Sequence, residues 1–80
     1  MVLANKPTAE QIHLALDSAL SVFDDSVRQT LLFYVKQKDP SFDRSPSLEK
    51  IENALKELLG LGGELIIQHM QVYLEQIHNM

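Results

Sequence analysis

The stretch ELIIQHMQVYLEQIHNM, residues 64–80, decides how this chain folds. Leu65, Ile66, Ile67, Met70, Val72, Tyr73, Leu74 and Ile77 are apolar. Set at about 100° per residue, Ile66, Met70, Tyr73 and Ile77 fall on one stripe. Ile67 and Leu74 widen it on one side, Leu65 and Val72 on the other. The apolar arc spans roughly 220°, whereas a helix lying on a protein surface needs little more than 100°. Such a helix is either wrapped by its own domain or pressed against a second copy or a partner.

The residues just before it, Gly60, Gly62 and Gly63 within Leu-Gly-Leu-Gly-Gly, read as the end of a preceding helix and a turn, because glycine accepts the left-handed conformation at little cost. No strand precedes them, and no Lys or Ser/Thr follows in phosphate-loop position. The preceding helix is expected over 46–59, with Ser45 and Pro46 as its start signal. Its stripe is Leu48, Ile51, Ala54, Leu55, Leu58 and Leu59, and Glu49, Lys50, Glu52, Lys56 and Glu57 cover the other face. Further back, the run DPSFDRSP at 39–46 is the clearest loop, with Phe42 as its anchor on the core.

Two more helices fill the first half. Thr8 and Gln11 match a capping box, and Ile12, Leu16, Ala19, Leu20 and Phe23 follow the 3–4 spacing of a helix over 9–23. Asp24, Asp25 and Ser26 can each cap a new start. A second helix is expected over 26–38, with Val27, Leu31, Tyr34 and Val35 on its stripe and Leu32 beside it. Lys36 and Lys38 suit its C-terminal dipole. The fold expected is an all-α domain of four helices, paired as two antiparallel hairpins over residues 8–80, behind a flexible lead at 1–7. The fourth helix should be central, or form the seam of a homodimer.

Composition narrows the function classes. Eighty residues make one domain with a limited core. There is no cysteine, so neither a disulfide framework nor a thiolate metal site is available. The net charge of −4, with seven Lys and Arg spread along the chain and none in the last helix, argues against binding to phosphate backbones. The start MVLANKPTAEQ lacks the apolar region of a signal peptide. A cytoplasmic location without membrane span is expected.

No reaction is spelled out. Glu75 and His78 share the i,i+3 spacing of carboxylate-bridged metal bundles, but no second pair accompanies them, so no metal or cofactor is expected. His13 and Asp17, at i,i+4, suit a surface pair. Ser18, in LDSAL, falls mid-helix among core positions rather than at the helix start after a long loop, where the modified serine of an acyl-carrier protein stands. Arg28 lies on the apolar arc of the second helix, near its N-terminus, and needs a carboxylate from Asp24, Asp25 or across an interface.

The remaining candidates point to contact with another protein. His69 falls inside the wide arc of the last helix, as a satisfied core or interface residue. Leu14 and Phe33 point away from their helices' stripes. Aromatic anchors are favoured at interfaces. The candidate interface is therefore Phe33 with Leu65, His69, Val72 and Tyr73. The leading function is a non-enzymatic signalling or interaction module acting by helix-face docking or dimerisation. One alternative is a nucleic-acid-binding regulator. Another is a ligand-binding bundle with His69 and Tyr73 lining a cavity.

The segments ALDSALSVFDDSVRQTLLFYVKQK (15–38) and SLEKIENALKELLGLGGELIIQHMQVYLEQI (47–77), with the short loop between them, resemble the small Nitrosopumilus output domain (NitrOD) proteins of ammonia-oxidising archaea. The resemblance covers most of the chain and rests on helix lengths, the Leu-Gly-x-Gly turn and the apolar last helix. It implies an all-helical domain, used alone or as the output module of regulatory proteins. It carries no catalytic residues with it.

Overall fold

The computed structural model describes residues 7–78 and contains four helices: α1 Ala9–Leu20, α2 Asp25–Lys38, α3 Leu48–Leu59 and α4 Leu61–His78. The expected lead lies, apart from Pro7, outside the described residues. So do the side chains of Ile77 and His78, and with them the Glu75–His78 pair. The all-α, four-helix expectation holds. The principal packings are α1 on α4, α3 on α4 and α2 on α3, which makes α4 the central element. The α1–α2 pair expected as a hairpin is not among them: α1 leans chiefly on the last helix.

Local chemistry sets each boundary. Thr8 accepts a hydrogen bond from the Gln11 amide, and the Gln11 side chain accepts one from the Thr8 amide, so the capping box forms. α1 ends at Leu20, three residues earlier than its stripe suggested. The Ser21 hydroxyl and amide both turn back onto the Ser18 carbonyl, and a serine that bonds its own backbone competes with helix propagation. Asp24 then caps α2 by accepting from the Val27 amide at 3.0 Å, so α1 and α2 are separate helices.

The start expected at Ser45 and Pro46 moves to Ser47, which caps α3 by accepting from the Lys50 amide. One bond marks the shift. The Ser47 amide donates to Asp39 Oδ2 at 2.8 Å, which draws Ser47 into the cap position. Asp39 is almost fully buried, and its Oδ1 has no hydrogen-bond partner among the described residues. The loop anchor is as expected: Phe42 is buried, with its carbonyl held from α1 by His13 Nε2–H at 2.7 Å.

The glycine run does not form a turn of several residues. Gly60 alone, at φ +60 and ψ −126, breaks the chain direction. Gly62 and Gly63 lie in the first turn of α4. The Gly60 carbonyl accepts from the amides of Gly63 and Glu64 and so opens α4 directly. Gly63 is needed for another reason: a Cβ there would stand 2.3 Å from the Leu55 carbonyl oxygen. The α3 and α4 backbones meet at that point.

The core is one cluster. Leu16 and Leu20 of α1, Val35 of α2, Ile51 and Leu55 of α3 and Met70 of α4 are fully buried at its centre. Ala15 and Ala19 are buried beside them and keep α1 close to α4. Each large side chain removed from water contributes about 1.5–3 kcal/mol before entropy is counted. No helix of the described residues is long and apolar enough to cross a membrane.

Candidate docking face of the last helix

α4 is apolar on two opposite sides. Ile66, Ile67, Met70 and Leu74 are buried against α1 and α3, and Tyr73 packs at the rim. Leu61, Leu65 and Val72 are not. They are 80%, 68% and 47% exposed. At 100° per residue these three fall within about 40° of one another and roughly opposite Met70. The wide arc seen in the sequence is thus two stripes: one fills the core, and the other faces outward. Single exposed apolar residues are ordinary. A row of large ones along one helix face is the kind of surface a partner covers.

Polar residues frame the row. Gln68 lies within it by helical spacing, and Glu64, Gln71 and Glu75 follow one flank. On that flank Glu52 and Lys56 of α3 complete a shallow groove with Leu61, Leu65 and Gln68. On the other flank Ser18 of α1 forms a second groove with Leu65, His69, Val72 and Tyr73. Both grooves are open to solvent.

The structure therefore brings Leu65, His69, Val72 and Tyr73 together, as their spacing suggested. His69 is exposed rather than inside the core. Its Nε2 lies 3.3 Å from Ser18 Oγ, a tie between α4 and α1. Here the spacing along the chain missed a serine–histidine pair. Ser18 sits mid-helix, where backbone N–H groups serve the helix and offer no oxyanion site. No third side chain among the described residues orients the His69 ring.

Phe33 stands apart. It is 64% exposed on the outward side of α2, which packs on α3, and it lines neither groove of α4. Leu61 belongs to the site and was hidden from the sequence reading by the glycines around it. Its i,i+4 spacing to Leu65 was the available signal.

Other candidate pairs have structural partners. His13 bonds to the Phe42 carbonyl and packs its ring on Phe42, with centroids 4.7 Å apart, rather than pairing with Asp17. Arg28 pairs with Asp25. Lys36 pairs with Asp43 at 3.7 Å. Lys38 pairs with Glu57 at 3.3 Å, and the Tyr34 hydroxyl donates to the same carboxylate. The hydrogen bond to Glu57, and then its charge, raise the Lys38 pKa above its ordinary value. Three of the basic side chains are thus matched with acids on the protein itself. No group of three or more His, Asp or Glu side chains among the described residues is placed to hold a metal.

No family model matches the chain, and no curated protein or solved structure does either.

Proposed function

We propose that this domain is a non-enzymatic interaction module that docks protein through the outward face of α4. The exposed row Leu61, Leu65 and Val72, opposite the buried stripe of the same helix, is the observation that carries this reading. The domain's own core already accounts for Ile66, Ile67, Met70 and Leu74. A second apolar stripe adds nothing to folding, and solvating it is unfavourable. Helix-in-groove recognition uses anchors repeated along one helix face, and here Leu65 follows Leu61 at i+4 and Val72 follows Leu65 at i+7. His69 and Tyr73 add polar tips at the edge, where interface aromatics keep one end hydrated. The resemblance to NitrOD proteins fits this role, as an output domain of a regulatory system acting in the cytoplasm.

The test is a photo-crosslinking residue placed at Val72, with the same residue at the polar position Asn53 of α3 as control. Docking through α4 yields a crosslinked protein, either a second copy or another chain, from position 72 and not from position 53. Equal or absent crosslinking at the two positions contradicts the reading.

A further inference from the structure

We propose that the hollow between α1, α2 and the Phe42 loop binds a free α-amino acid with an apolar side chain. The site shares no lining residue with the grooves of α4, so it stands independently of the docking reading.

The fold leaves this hollow because α1 leans on α4 and α2 on α3, so the first two helices do not close on each other. It measures about 290 Å³ and opens to solvent. Small-molecule sites run from roughly 300 Å³ upward, so the occupant is small. Leu14 of α1, Leu32 of α2 and the buried Phe42 give it apolar walls. Leu14 is exposed and off the buried stripe of α1, an apolar side chain the core does not use. The His13 ring forms a further wall, and its position is fixed twice. Nε2–H donates to the Phe42 carbonyl at 2.7 Å, and the ring packs on that of Phe42. This side of the hollow is therefore formed before any ligand arrives.

Two opposite charges stand on the lining, one from each helix. Asp17 of α1 has no ion-pair partner among the described residues. Lys36 of α2 meets Asp43 at 3.7 Å, a charge contact longer than a hydrogen bond. Its N–H donors thus stay open to a ligand. Asp17 and Lys36 do not pair with each other. An α-amino acid carries an ammonium, a carboxylate and a side chain on one carbon. The ammonium meets Asp17, the carboxylate meets Lys36, and the side chain lies along Leu14, Leu32 and Phe42. A simple amine would face the Lys36 charge and a simple carboxylate the Asp17 charge, so the zwitterion is the better match. Asp17 and Lys36 are both exposed, and screening sets the affinity at about millimolar.

The experiment is an NMR titration of the full chain with L-leucine, N-acetyl-leucine, leucinamide and glycine. Leucine is expected to move the amides of His13, Asp17, Leu32 and Phe42 saturably. The two blocked forms each lack one charge and glycine lacks the side chain, so each binds at least about threefold more weakly. Asp17→Asn and Lys36→Gln, checked for helicity by circular dichroism, weaken leucine by a similar factor. Asp43→Asn strengthens it, because it removes the carboxylate that competes for Lys36. No saturable movement around the hollow overturns the site. Blocked leucines that bind as tightly as leucine overturn its recognition of a zwitterion.

Discussion

A methyl group on Gly63 would lie 2.3 Å from the carbonyl oxygen of Leu55. The contact is backbone against backbone, so no side chain can swing away to relieve it. Gly63→Ala is therefore expected to destabilise the domain by about 1–3 kcal/mol, despite alanine's better helix propensity. Gly62 gives the opposite sign. A Cβ there meets only Leu59 Cβ, at an ordinary 3.7 Å, and Gly62→Ala should stabilise by about 0.5 kcal/mol. Urea denaturation of the two variants beside wild type checks both signs.

Asp39 organises the loop between α2 and α3. Removing its carboxylate strands the Ser47 amide at the start of α3. Asp39→Ala is expected to cost about 1–3 kcal/mol. Asp39→Asn keeps an acceptor for Ser47 and removes a buried charge whose Oδ1 has no partner among the described residues, so it should cost less than the alanine variant. Thermal unfolding of both variants gives the order, and an asparagine variant that is the less stable of the two contradicts this role.

Lys38 ties α2 to α3 through Glu57. Its folded pKa is raised above the ordinary 10.5 by the hydrogen bond and charge of Glu57. A group whose folded pKa is raised adds stability that is fully present below its unfolded pKa and is lost as pH rises through the folded value. The contribution is thus intact at neutral pH and fades in the alkaline range above 10.5. NMR titration should find the Lys38 side chain titrating above its ordinary value. Glu57→Gln should move the Lys38 titration to lower pH.

Exposed and buried stripes of α4 should respond differently to substitution. Leu65→Asp and Val72→Asp are expected to cost the isolated chain no more than about 1 kcal/mol, because Leu65 is mostly exposed and Val72 is only half-covered. Met70→Ala should cost about 2–5 kcal/mol, because it opens a cavity at a fully buried site. Denaturation at a concentration low enough to keep the chain dissociated separates folding from pairing.

The four helices were legible in the sequence because Ile12, Leu16, Ile51, Leu55 and Met70 recur at helical spacing and are indeed buried. The cap at Thr8 was legible for the same reason, since a short polar side chain before an apolar stripe has one strong local use, whereas Asp24, Asp25 and Ser26 left open whether the first two helices are separate or one kinked helix. What spacing could not give was the partner of each polar group. His13 turned from Asp17 to the Phe42 carbonyl, and the start of α3 moved to Ser47, because a residue distant in sequence supplied the better bond. The glycines misled in another way: composition cannot tell a glycine required by positive φ, such as Gly60, from one required by close backbone approach, such as Gly63. At the candidate site the apolar excess of α4 was visible, but its division into a buried and an outward stripe depended on where α1 and α3 lie.

Amide chemical shifts of the full chain, followed from micromolar to millimolar concentration, test the docking face most directly. Self-association through α4 requires that the shifts moving with concentration cluster at Leu61, Leu65, Gln68 and Val72. Shifts that move instead around Phe33 on α2 would contradict the α4 face, and shifts that stay fixed throughout would exclude a second copy as its occupant.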